Sequence, residues 1–181
     1  MNVVHLGSRD FPDCLAVEMD KNSIADIFRE VGVLLELKGE NAFKIRAYQS
    51  GARALESLEE ELSVLIVEDR LTDVKGIGKA LADKIRMLDG EGALPFYEEL
   101  RASVPEGLIN MLEIAGLGAK KIRALYEALE VDTIEKLEKA CREGRVAPVA
   151  GFGAKSEERI LIGIRNREVY SKRHIWWDAF E

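Results

Sequence analysis

The sequence predicts an all-α protein built from two small helical units. Three observations carry this expectation. Apolar residues recur at three- and four-residue spacing along most of the chain. No segment longer than about four residues reads as a strand. One pattern, glycine–apolar–glycine running into a helix, occurs three times: "DVKGIGKALADKI" at 73–85, "EIAGLGAKKIRAL" at 113–125 and "PVAGFGAKSEERI" at 148–160.

Residues 1–19 show no period and contain Pro12, so a loose leader is expected there. "DKNSIADIFREVGVLLEL" then places Ile24, Ile27, Phe28, Val31, Leu34 and Leu35 at helical spacing, with Asp20 or Asn22 as N-cap and "KGEN" as the stop. "AFKIRAYQSGARALESLEEEL" forms the next helix, capped by Asn41, with Phe43, Ala47 and Leu55 near one face. "VLIV" at 64–67 lies between helical segments and reads as a short helix closing on the first two. After the first glycine turn a helix runs from Lys79 to Leu88, broken by "GEGAL". A further helix carries Phe96, Tyr97 and Leu100, and Pro105 opens another through Leu108, Met111 and Leu112. Helices at 119–129 and 133–142 follow, the second with Asp132 able to cap it and Glu135 suited to its first turn. The third turn leads into a helix at 154–164.

A boundary at "LDGEG", 88–92, divides the chain into units 20–90 and 91–164, followed by a basic and then aromatic tail at 165–181. The 181 residues, 47% hydrophobic and 33% charged, suit a soluble globular protein of one sizeable domain or two small ones. There is no membrane-spanning run and no export signal at the start, and Cys14 and Cys141 fit a reducing compartment. A cytoplasmic protein is expected. His5 and His174 lie at opposite ends, which disfavours a histidine-built zinc site. The net charge of −7 argues against a protein that coats nucleic acid, but basic residues gather after each glycine turn while acidic ones gather in "ESLEEEL" at 56–62.

The turn itself has a chemistry. Around Ile77, Gly76 and Gly78 permit backbone angles that a β-carbon penalises, and the next helix presents its N–H groups at its positive end. An anion can be held there by main-chain donors, with Lys79, or Lys120 and Lys121 after Gly116 and Gly118, adding charge. Such contacts position a nucleic acid without reading its bases. The third copy, Gly151-Phe152-Gly153 with Lys155, carries Glu157 and Glu158, which dilute its positive potential. Ordinary packing turns between crossed helices are the alternative for any single copy. A dinucleotide-binding reading is excluded because no strand precedes any copy.

"DKNSIADIFREVGVLLELKGENAFKIRAYQSGARAL", "LTDVKGIGKALADKI" and "LPFYEEL" together resemble the N-terminal part of bacterial and archaeal family X DNA polymerases, over residues 20–163. The glycine turns resemble that family's helix-hairpin-helix motifs. The resemblance implies a first unit that binds the 5′-phosphate side of a gap, often with deoxyribose-phosphate lyase activity. By position it makes Lys84 the Schiff-base lysine, and Lys44 and Tyr48 the phosphate-binding and sugar-positioning residues. Ala80 stands where animal relatives carry a further basic residue, with Lys79 beside it. The second unit would grip the primer-strand backbone through Gly116-Leu117-Gly118. No cofactor is required, but the family can hold Na⁺ or K⁺ on hairpin carbonyls, here those of Thr72, Val74 and Ile77, and of Leu112, Ile114 and Leu117.

The residues allow the lyase chemistry on their own terms. Lys44 and Tyr48 are four apart on one helix face, and Lys84 lies six residues past Gly78. A free lysine, with a pKa of about 10.4, is mostly charged at neutral pH, so a neighbouring cation such as Lys44 favours the nucleophilic amine. No Asp-x-Asp pair supplies a two-metal nucleotidyl-transfer site, so no polymerase activity is expected. The tail, with Arg165, Arg167, Lys172 and Arg173 before Trp176, Trp177 and Phe180, reads first as a docking segment for this protein or a partner and second as a base-stacking surface. Three functions follow: a backbone-binding DNA repair protein, a lyase using Lys84, or a protein-interaction module whose hairpins only pack.

Overall fold

The computed structural model describes residues 19–177, with side chains as far as Arg167. Residues 1–18 of the leader expected at 1–19, the side chains of Lys172, Arg173, Trp176 and Trp177, and Phe180 lie outside the described residues. Within them the chain is all-α. It forms α1 (Lys21–Lys38), α2 (Ala42–Glu56), α3 (Leu62–Val67), α4 (Lys79–Glu91), α5 (Pro95–Ala102), α6 (Glu106–Asn110), α7 (Ala119–Leu129), α8 (Ile134–Arg142) and α9 (Ala154–Trp177). Single 3₁₀ turns at Leu71–Asp73 and Met111–Glu113 precede the first two glycine turns. Among the described residues no helix is long and apolar enough to cross a membrane.

α1 begins where Asp20 accepts a hydrogen bond from the Ser23 N–H at 2.7 Å, and ends at Gly39 in the left-handed region. Ile24, Phe28, Val31, Leu34 and Leu35 are all buried, as their spacing predicts. α2 is capped by Asn41, which accepts from the Phe43 N–H at 2.8 Å. Its buried face is a correction. Phe43 is 77% exposed and Ala47 is exposed, whereas Tyr48, Ala52 and Leu55 are buried. At about 100° per residue Phe43 points well away from the stripe through Tyr48, Ala52 and Leu55. That stripe admits close helix approach because it includes Gly51, where a β-carbon would lie 2.7 Å from Leu81 Cδ1 and 3.3 Å from Phe28 Cδ2.

Later boundaries also differ in instructive ways. α4 continues through Gly90 and stops only at Gly92 (φ 66°), whose N–H reaches the Leu88 carbonyl at 2.9 Å. The helix expected from Pro105 to Leu112 tightens after Asn110 into the 3₁₀ turn. α8 is capped by Thr133, which accepts from the Lys136 N–H, while Asp132 instead pairs with the Lys136 ammonium at 2.6 Å. α9 does not stop at Ile164 but runs on to Trp177, because neither glycine nor proline follows Gly163 to end it.

α1 lies along α2 and also meets α5 and α7, and α8 packs on α9. Leu55, Ile85, Leu108, Ile122, Leu137 and Ile164 therefore belong to one buried apolar cluster that extends from α2 to α9. This core holds the three glycine turns at its margin.

Candidate nucleic-acid interface

The three glycine turns repeat one hydrogen-bond register. In the first, the Val74 N–H bonds the Leu71 carbonyl, Ile77 bonds Val74, and Leu81 and Ala82 both bond Gly78. In the second, Ile114 bonds Met111, Leu117 bonds Ile114, and Lys121 and Ile122 bond Gly118. In the third, Val149 bonds Val146, Phe152 bonds Val149, and Ser156 and Glu157 bond Gly153. The leading glycines, Gly76, Gly116 and Gly151, take φ of 105°, 88° and 84°, a region that side chains rarely enter. Gly78 and Gly118 are extended N-caps (φ −86°, ψ 170° and φ −100°, ψ 166°), and among the described residues no side chain caps α4 or α7.

These turns are anchored on one side and open on the other. Ile77 and Leu117 are buried plugs and Phe152 a half-buried one. Among the described residues, no heavy atom beyond the adjoining residues lies within 4 Å of the place a β-carbon would occupy on Gly78, Gly116, Gly118, Gly151 or Gly153. A large anion can therefore approach the free N–H groups at the start of α4, α7 and α9.

Cations flank the openings. Lys79, Lys120 and Lys155 are exposed, and none pairs with an acidic side chain among the described residues. Lys121 folds back, donating to the Gly116 carbonyl at 3.3 Å with its ammonium 5.8 Å from the centre of the Phe152 ring. A cleft of about 390 Å³ between α2 and α7 sets Lys120 beside Arg46 and Arg123, which the sequence pattern does not single out, with Glu36 and Glu40 on its other wall. Several acidic residues are engaged elsewhere: Glu60 and Glu68 on Arg70, and Glu56 on Arg29. Glu157 does not face an incoming anion as an unpaired charge. Its carboxylate accepts from the Val146 and Ala147 N–H groups at 2.9 and 2.7 Å.

Lys44, Tyr48 and Lys84 converge from α2 and α4 on one residue of α5. The Phe96 ring lies 5.4 Å from the Lys44 ammonium and 5.3 Å from that of Lys84, and it stacks on Tyr48 at 6.2 Å with planes 10° apart. Tyr48 in turn meets Phe28 edge-on at 5.5 Å. Burial pushes the Tyr48 phenol up to about 12, so it stays a proton-bearing hydrogen-bond donor at neutral pH. Lys44 also lies 3.8 Å from Glu40. Phe96 had been read only as part of a helix. Its signal is weak, because the Phe96-Tyr97 pair after Pro95 looks like core.

The candidate cation ligands sit on the same turns. The Val74 and Ile114 carbonyls already accept from Ile77 and Leu117 at 3.0 Å, leaving one lone pair each. Thr72, Ile77, Leu112 and Leu117 supply further neutral oxygens. A donor set of carbonyls without carboxylates fits a monovalent cation better than a divalent one.

The chain's relatives agree with this architecture. Residues 19–88 match the family described as a helix-hairpin-helix domain, and residues 108–166 match the SAM-like helix-hairpin-helix tandem. The DNA polymerase/3′-5′ exonuclease PolX of Bacillus subtilis (strain 168) is 41% identical over 143 residues, which is 79% of this chain and 25% of that protein. The chain thus spans about a quarter of the length of this relative. With three hairpins in one register, two matched helix-hairpin-helix regions and this identity, the chain is a helix-hairpin-helix protein similar to the N-terminal part of a family X DNA polymerase.

Proposed function

We propose that this chain binds DNA without reading its sequence, gripping backbone phosphates at gapped or broken duplexes during repair in the cytoplasm. The observation that carries the reading is the repeated turn, with open glycine N-caps on α4 and α7 flanked by Lys79 and Lys120, which have no acidic partner among the described residues. Gly76, Gly78 and Lys79 hold one phosphate group, Gly116, Gly118, Lys120 and Lys121 a second, and Gly151, Gly153 and Lys155 extend the track. Thr72, Val74, Ile77, Leu112, Ile114 and Leu117 would hold Na⁺ or K⁺, which would add positive charge under the bound phosphates. The sequence brings no Asp-x-Asp pair, so these 181 residues bind rather than transfer nucleotides.

A second reading, lyase activity, is favoured by the convergence of Lys44, Tyr48 and Lys84. Here the Lys84 amine adds to the C1′ aldehyde of a 5′-deoxyribose phosphate and water leaves to give an imine. A base then takes a C2′ proton and the C3′–O bond breaks, freeing a 5′-phosphorylated DNA end. Tyr48, protonated at neutral pH, would orient the sugar rather than act as the base.

A one-nucleotide-gap duplex carrying the 5′-deoxyribose phosphate tests both. Borohydride should trap a covalent adduct that Lys84→Ala abolishes if the lyase operates. Salt-sensitive binding without an adduct leaves the binding reading alone, and neither at low salt refutes both.

A further inference from the structure

We propose that Phe96 is a positioning residue that holds the amines of Lys44 and Lys84 ready for the 5′-phosphate side of a DNA gap. The inference rests on the reading of those lysines as DNA contacts. The observation is that two ammonium groups from different helices share one aromatic ring, at 5.4 and 5.3 Å from its centre. Two like charges so placed repel each other, and two long side chains lose rotamer freedom when fixed. The electron-rich face of a ring offsets both costs. A benzyl side chain has no other polar role to play here.

The ring is itself fixed. It stacks on Tyr48, which is 5% exposed and leans on the fully buried Phe28. Its own helix begins with Pro95 in the first turn, after the buried Leu94. The chain Phe28–Tyr48–Phe96 therefore runs from the core of α1 to the two amines. Phe96 also lies outside residues 19–88, the first helix-hairpin-helix match. The lysine site is complete only when α5, which lies between the two matched regions and packs on α1, is docked. The Glu40 carboxylate, 3.8 Å from Lys44, competes with the ring for the same ammonium group.

The experiment compares affinities for one-nucleotide-gap duplexes with and without a 5′-phosphate. The ratio of the two affinities cancels effects on general DNA binding and on the fraction folded. F96L keeps apolar bulk but removes the ring, and should lower the ratio by about three- to tenfold. F96Y keeps the ring face and should retain the wild-type ratio. Should F96L fail to fold, F96M serves the same comparison. A ratio unchanged in F96L, or lowered as much in F96Y, overturns the proposal while leaving the DNA reading intact. A wild-type chain with no preference for the 5′-phosphate removes the underlying reading and this proposal with it.

Discussion

Gly39 and Glu130 both adopt the left-handed conformation, at the ends of α1 and α7, and should respond to substitution in opposite directions. Gly39 (φ 74°) meets the Arg123 guanidinium where a β-carbon would sit. Gly39→Ala should cost about 1–2 kcal/mol in urea unfolding, mostly backbone strain, because the arginine tip can move. Glu130 (φ 54°) already carries that strain, so Glu130→Gly should gain roughly 0.5–1 kcal/mol in the same measurement. Two buried acids add a pH dependence. Burial pushes Cys141 up to about 11 from 9.0 and Tyr48 up to about 12 from 10.0. The folded state keeps both protons longer than the unfolded chain does. Stability from these groups is therefore intact below pH 9, falls through the window from 9 to 12 and is lost above it. Urea midpoints measured across that window should fall steadily. A flat profile would show that neither group is shielded from water in solution.

At the scale of the element, the hairpin separates two roles that the sequence writes with the same letter. Gly116, at φ 88°, is needed for the shape of the turn, whereas Gly118, at φ −100°, is extended and can be any residue sterically. Gly116→Ala should lower the melting temperature. Gly118→Ala should leave it unchanged and weaken DNA binding about tenfold, because the added methyl points into the open approach to α7. The turn was legible in the sequence because its register depends on glycines and one apolar plug. The core of α1 was legible for the same reason, since its spacing leaves one face to bury. The face of α2 was not, because Phe43 is the largest apolar residue at its start yet stands in solvent beside Arg46, 5.6 Å from its ring. Gly51, Ala52 and Ala54 mark the buried side there together with Tyr48 and Leu55, and at Gly51 Leu81 of α4 and Phe28 of α1 come too close for a β-carbon. The site around Phe96 was half legible: Lys44 and Tyr48 share a helix face, but the ring that joins them to Lys84 arrives through tertiary packing, which spacing does not encode.

Across the whole molecule, a net charge of −7 coexists with an interface built for anions. Separation resolves the conflict. Glu56, Glu60 and Glu68 are engaged with Arg29 and Arg70, while Lys79, Lys120 and Lys155 stand free of acidic partners among the described residues. Over a screening length of about 8 Å at physiological salt, a local lysine cluster matters more than the total. The links across the molecule are of two kinds. Lys38 to Ser103 at 2.9 Å and Arg101 to Glu30 at 3.0 Å are exposed, and losing either should cost under about 1 kcal/mol. The buried apolar cluster and the Tyr48–Phe96 stack carry the remainder. The central claim is that the hairpins grip phosphates, and its most direct test is the affinity for a gapped duplex as salt is raised. Each phosphate neutralised should contribute a slope of about −0.9 to the log–log plot, and Lys120→Ala should make the slope shallower by roughly one such unit. Binding whose slope is near zero, or is unchanged when hairpin lysines are removed, would contradict the account.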